Sequence, residues 1–113
     1  MFDLKDFKIP KDVWITKKIN YKVSWVQRFP DPTQIGECDY DGKKIILKKD
    51  MNSFLTFFTF LHECVHALSE HRKLGMSEYQ VNGLEHGFQI MVELNGWIKK
   101  TRVEKQPPRS RKT

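Results

Sequence analysis

Two histidines four residues apart, inside an apolar stretch, constrain the fold of this chain more than any other feature. The stretch reads His62-Glu63-Cys64-Val65-His66 and lies between the largely apolar segments 57–61 and 67–68. On a helix, residues i and i+4 project from the same face. The sequence therefore predicts a buried helix that presents two imidazole rings side by side, roughly 6 Å apart.

Imidazole pairs of this kind are typical metal ligands. Two rings at this spacing can each reach a tetrahedral zinc ion at about 2.0–2.1 Å. Glu63 lies off the line of the two ligands, so its carboxylate can face the open position of the metal. Zinc lowers the pKa of bound water toward about 7, and a neighbouring carboxylate can then act as general base. The motif predicts Zn²⁺ bound by His62 and His66, with Glu63 as the catalytic residue.

A catalytic zinc site also needs a third protein ligand. Glu85 is favoured because it lies at the border of an apolar helical stripe, where a cation would relieve the cost of burying a carboxylate. Glu78, seven residues earlier on nearly the same line, is the alternative, although it also suits a helix N-terminus. A histidine is less favoured: His71 lies about 180° round the helix from the first ligand, and His86 about 100° from Glu85.

Periodicity and turn residues indicate strands before the motif. Residues 19–25 alternate apolar and polar side chains, as a half-buried strand does. Asp41-Gly42 separates the strand-like segments 35–40 and 43–49 and predicts a hairpin.

Two helices follow the hairpin. The first begins near Asp50, Asn52 or Ser53 and stops at Gly75. Its predicted core face is Phe54, Phe57, Phe58, Leu61, Val65 and Leu68. The second begins with a capping box, Ser77 with Gln80, and ends at Asn95-Gly96. Its predicted apolar stripe is Val81, Leu84, Phe88, Met91 and Leu94. This order predicts an α+β fold, a small antiparallel or mixed sheet packed on an active-site helix and a second helix.

Charge divides the chain into two parts. The formal net charge is +6; residues 99–113 hold seven basic residues and one acid, and residues 1–98 hold thirteen of each. The excess therefore belongs to the C-terminal segment, which also contains Pro107-Pro108. We expect one domain over 1–98 and a disordered basic tail over 99–113. The alternative is that the tail binds weakly, through its charge, to nucleic acid or to an acidic partner.

The remaining composition is that of an ordinary globular protein. Apolar residues make up 39% of the 113 residues, enough for one modest core. No apolar segment approaches the roughly 18 residues of a membrane span, and the first residues lack the core of a signal peptide. We therefore expect a cytoplasmic protein with no membrane contact. The two cysteines, Cys38 and Cys64, make no disulfide framework, and Cys64 is expected to be a buried free thiol.

The motif and the glutamate after it resemble a known class of enzymes. His62-Glu63-Cys64-Val65-His66, with Glu85 on a second helix, looks like the gluzincin class of zincin metallopeptidases, whose third ligand is a glutamate on a later helix. The small size and the segment 81–88 are similar to minimal ImmA/IrrE-like and SprT-like peptidase domains, including phage-encoded ones. The resemblance covers roughly residues 20–96.

The resemblance implies a zinc-dependent peptidase acting on a protein or peptide. It implies that an extended substrate pairs with an edge strand near 43–49. Gluzincins usually carry a further acidic residue that orients a histidine, and the helical neighbours of Glu85 are Asn82 and Gln89. The resemblance also implies a group that stabilises the reacting oxyanion, and the candidates for it are Tyr79, His71 and Tyr40. The alternative function is a non-catalytic zinc-binding domain that recognises a protein or nucleic acid. The sequence leaves the oligomeric state open.

Overall fold

Four strands form a mixed sheet that supports two helices. The computed structural model describes residues 3–97. The strands are β1 (Asp12–Thr16), β2 (Ile19–Val26), β3 (Gly36–Asp39) and β4 (Lys44–Lys48). The helices are α1 (Ser53–His71) and α2 (Glu78–Leu94), and a short 3-10 turn, Leu4–Asp6, precedes β1. The predicted α+β architecture is confirmed, and the predicted basic tail lies outside the described residues.

The sheet has the order β1-β2-β4-β3. β1 pairs antiparallel with β2, β2 pairs parallel with β4, and β4 pairs antiparallel with β3. The predicted hairpin joins β3 to β4, and the Gly42 amide donates to the Asp39 side chain at 3.0 Å in its turn. The assignment of the edge strand to residues 43–49 is wrong. β4 is covered on its other side by β2, so within residues 3–97 the free edge beside the hairpin belongs to β3.

One face of the sheet packs against α1. Sheet residues Tyr21, Ile45 and Leu47 are completely buried there, and α1 contributes Phe60, Cys64 and Ala67 to the same cluster. The predicted core face of α1 is only partly right, because Phe58 is the one of its six residues that is fully buried. α1 is enclosed over most of its circumference, so its small and polar side chains are buried as well.

The ends of the helices follow their capping residues. Asn52 caps α1 by accepting from the Leu55 amide at 2.8 Å. α1 ends at His71, before the predicted stop at Gly75, which instead adopts a positive φ of 63° in the connecting turn. The capping box that begins α2 is confirmed, with both of its hydrogen bonds present.

The predicted apolar stripe of α2 is wrong except at its first position. Val81 is completely buried, but the other four residues expose between 38% and 80% of their surface. The buried face of α2 consists of Val81, Glu85 and Gln89. α2 is therefore rotated so that a largely polar face meets α1, at the level of the two motif histidines.

Candidate metal centre

The two motif histidines lie on the same buried face of α1. His62 is completely buried and His66 is 5% exposed. Their Nε2 atoms are 3.2 Å apart. The predicted side-by-side arrangement of the imidazole rings is therefore present, with one nitrogen of each ring directed at a common point.

Glu78 places its carboxylate against both of these nitrogens. Its Oε1 lies 2.8 Å from Nε2 of His62, and its Oε2 lies 2.9 Å from Nε2 of His66. Glu78 is the first residue of α2, and its side chain is 33% exposed. The three side chains thus enclose one point between α1 and the start of α2, with Glu78 on the side nearest to solvent.

Glu85 contacts the opposite side of the His62 ring. Its Oε1 lies 3.2 Å from Nδ1 of His62, and its Oε2 accepts a hydrogen bond of 3.0 Å from the Gln89 amide. Both residues are buried. A carboxylate at Nδ1 fixes the ring orientation and favours the tautomer whose Nε2 lone pair is free to bind a metal. The geometry gives Glu85 an orienting position and puts Glu78, the alternative ligand, at the shared nitrogens.

Glu63 is buried beside the histidines and beneath the edge strand. It is 0% exposed, and the candidate ligand atoms of His62, Glu63 and His66 all lie within 4.8 Å of one another. A Cβ atom on Gly36 would lie only 2.7 Å from Oε2 of Glu63 and 2.7 Å from a methyl group of Thr59. Glycine at the start of β3 therefore makes room for this carboxylate. The sequence holds no signal for Gly36, since only the packing of β3 on α1 brings it beside Glu63.

The remaining candidate residues contact other groups or are exposed. Nε2 of His71 hydrogen-bonds to the hydroxyl of Tyr21 at 2.6 Å, and His86 is exposed. Tyr79 is 86% exposed. Tyr40 is half-buried beside the core, where burial first and then nearby thiol and carboxylate groups raise its pKa to about 12. Its hydroxyl therefore keeps its proton at neutral pH.

The two cysteines are buried thiols, as expected for Cys64. Both are free and belong to the cluster between α1 and the sheet. Burial, followed by the nearby Glu63 carboxylate, raises the pKa of Cys64 to about 12 and raises the pKa of Cys38 further still. Both thiols therefore keep their protons at neutral pH in the metal-free protein.

The donor set fits a zinc ion. Two ligand nitrogens at about 2.0–2.1 Å from a tetrahedral ion are about 3.3 Å apart, and the separation here is 3.2 Å. Two imidazoles and a carboxylate also match the ligand types of catalytic zinc sites. The distances from the Glu78 oxygens to these nitrogens, 2.8 and 2.9 Å, are shorter than the separation of about 3.3 Å expected between two ligands of one zinc ion. The Glu78 carboxylate would therefore have to move away from the nitrogens by about 0.5 Å for zinc to bind. A partly exposed side chain can make that adjustment.

Comparisons of the chain with protein-family models, with curated proteins and with solved structures found no match. Within residues 3–97, neither helix combines the length and apolar character needed to cross a lipid bilayer. The resemblance to gluzincins thus stays a hypothesis carried by the motif and the geometry around it.

Proposed function

We propose that this protein is a zinc-dependent metallopeptidase whose metal ligands are His62, His66 and Glu78. The observation that carries the proposal is the convergence of two imidazole Nε2 atoms and one carboxylate on a single point. This arrangement supports a gluzincin-like site in which the third ligand comes from the second helix. In this proposal Glu85, the ligand favoured by the sequence, has a different role.

Glu85 and Gln89 orient the first ligand. Gln89 donates to Glu85, and Glu85 in turn faces Nδ1 of His62. Such outer partners fix a ligand histidine and raise its basicity. Gluzincins use a further acidic residue to orient a ligand histidine. Asn82 and Gln89, the helical neighbours of Glu85, are not acidic, and in this proposal Glu85 itself is the orienting residue.

Glu63 is the proposed general base. When bound, zinc acts as a Lewis acid that polarises a carbonyl group and acidifies water. The Glu63 carboxylate accepts a proton from the attacking water and delivers it to the amine that leaves the cleaved peptide bond. Gly36 supports this role by leaving space for the carboxylate.

The free edge of β3 is the proposed docking site for an extended peptide. The backbone amide of Lys48 donates to the Ile35 carbonyl at 3.0 Å. In an antiparallel pair, opposite residues alternate between pairs that are hydrogen-bonded to each other and pairs that are not. The backbone groups of Gly36 and Cys38 therefore point away from β4, toward the free edge. The Gly36 carbonyl accepts there from the side-chain amide of Gln34 at 3.1 Å, a contact that a paired peptide would replace. A peptide strand paired there would run past Gly36, which contacts the proposed base.

One observation favours a second candidate, a zinc-binding domain without hydrolytic activity. Glu63 is completely buried, whereas a general base must be reached by water and substrate. In this second case the same three ligands hold zinc as a structural ion that fastens α2 to α1. A protein or nucleic-acid partner then engages another surface or the basic tail.

The Glu63→Gln variant of the full chain separates the two candidates. We expect one zinc per chain in both wild type and variant, measured by elemental analysis, because Glu63 is not a ligand. Hydrolysis of an unfolded protein and of a fluorogenic peptide library should fall by about 10²- to 10⁴-fold in the variant, the usual contribution of a general base.

The matched control is Glu70→Gln, an exposed glutamate on the same helix, which should change neither zinc content nor rate. Zinc binding with no hydrolysis of any substrate by the wild type would support the second candidate instead. Equal hydrolysis by the wild type and Glu63→Gln would contradict the role of Glu63.

A further inference from the structure

Helix α2 presents a broad apolar surface to solvent. Five large apolar residues on it are between 38% and 80% exposed: Leu84, Phe88, Ile90, Met91 and Leu94. At 100° per residue they fall within about 160° of the helix circumference, together with Gly83 and Gly87. We call this sector the α2 outer face. The charged residues of α2, namely Glu78, Glu85 and Glu93, all lie outside it.

Two glycines in the middle of this face have open space beside them within residues 3–97. A Cβ atom at Gly83 or at Gly87 would meet nothing within 4 Å, and neither residue has a positive φ. Glycine in a helix interior destabilises it by about 1 kcal/mol relative to alanine. Glycines at such positions allow the close approach of another backbone, which here must come from outside the described residues.

The attachment of α2 to its own domain is unusually slight. Of its 17 residues only Val81, Glu85 and Gln89 are buried, and only the first of these is apolar. Helices of this length in water depend mainly on tertiary packing of an apolar face. The apolar face that α2 possesses is the outer face, so the packing that would stabilise this helix requires a partner there.

We propose that the α2 outer face is a dimer interface between two copies of this chain. A charge-free face can meet its own copy in a two-fold pair without placing like charges opposite each other. The large side chains of one helix can occupy the space beside the glycines of the other. The chain's own segment 98–113 is a poor occupant, because seven of its residues are basic and burying them there would leave their charges unpaired.

The size of the face sets the strength of the contact. At their observed exposures the five side chains offer on the order of 100 Å² each, or roughly 500 Å² per copy. Standard stable interfaces bury about 800 Å² per partner, and smaller ones are weak or transient. We therefore expect a dissociation constant in the micromolar range.

Sedimentation velocity of the full chain tests the proposal. Between about 5 and 500 µM, a range that spans micromolar affinity, the average mass should rise from 13.5 kDa to twice that value and then level off. Met91→Lys and Leu84→Lys should each weaken association at least about tenfold, because each buries an unpaired charge. His86→Lys, an exposed position outside the α2 outer face, is the matched control and should leave association unchanged.

The two glycines provide a test that does not depend on a charged variant folding. The double variant Gly83→Ala with Gly87→Ala should melt several degrees higher at low concentration, since alanine favours the helix. Its association should nevertheless be weaker than that of the wild type. Three results would overturn the proposal: a monomer at every concentration, a dimer insensitive to all of these substitutions, or a mass that passes that of a dimer without levelling off.

Discussion

The assignment of the third ligand can be tested by comparing two glutamates on one helix. Glu78 faces the Nε2 atoms of both histidines at 2.8 and 2.9 Å, whereas Glu85 faces Nδ1 of His62 at 3.2 Å. Glutamine keeps the shape of either side chain but removes its charge. Glu78→Gln and Glu85→Gln therefore separate the loss of a ligand from the loss of an orienting group.

The expected magnitudes differ by about a factor of ten. Structural zinc sites bind with about 10–16 kcal/mol, so one ligand of about four contributes roughly 3–4 kcal/mol. The loss of the Glu78 ligand should then weaken zinc binding roughly 100- to 1,000-fold. Removing an outer-shell partner of a ligand histidine weakens metal binding by about 10- to 100-fold. We expect Glu85→Gln to lie in this lower range.

Zinc affinity should be measured by competition with a chromophoric chelator at fixed pH and ionic strength. Glu93→Gln, an exposed position on the same helix, is the control and should have no effect. Circular dichroism should verify that each variant keeps its helices, because Glu78 also stabilises the start of α2 by about 0.3–1 kcal/mol. A larger loss of affinity in Glu85→Gln than in Glu78→Gln would refute the assignment and restore Glu85 as the ligand.

Three further predictions concern the surroundings of the site. Gly36→Ala should lower the free energy of unfolding in urea by about 1–3 kcal/mol, because the added methyl group crowds Glu63 and Thr59. It should also slow hydrolysis at least tenfold, because it displaces Glu63. An unchanged urea midpoint would show that the neighbouring side chains move aside at no cost. Tyr21→Phe, which removes the 2.6 Å bond to the last histidine of α1, should cost about 1–2 kcal/mol in the same assay, and a change below about 0.5 kcal/mol would contradict this. With its pKa raised from 9.0 to about 12, Cys64 should react with a disulfide reagent at pH 8 about a thousandfold more slowly than in denaturant and faster as pH rises. Cys38 should be slower still, and prompt labelling of the folded protein would refute both.

Local sequence patterns were sufficient to predict most of the elements. The alternating residues 19–25 lie in β2, the Asp41-Gly42 turn joins β3 to β4, and the capping box of Ser77 and Gln80 begins α2. Each of these signals is contained in a few neighbouring residues, so it does not depend on the rest of the fold. β1 was harder to predict, since Asp12–Thr16 is short and its pattern is weak.

The order of the strands could not be predicted from the same signals. β2 and β4 are parallel neighbours although β3 lies between them in the chain. Such a pairing is decided by which apolar faces fit beneath α1, and this depends on packing across the whole domain. The edge strand was misassigned for that reason, and with it the surface at which a peptide is proposed to bind.

The positions of Glu78 and Glu85 also could not be predicted from local sequence patterns. Seven residues apart on a helix, they differ by only about 20° in direction, so periodicity places both on the line that faces α1. What distinguishes them is their height along α2, about 10 Å apart at 1.5 Å per residue. The short turn from Arg72 to Ser77 fixes that height by bringing the first turn of α2, and not its third, level with Nε2 of His62 and His66. Lengthening this turn by one residue should therefore weaken zinc binding even with every ligand retained, and an unchanged affinity would mean that α2 adjusts its position around the metal.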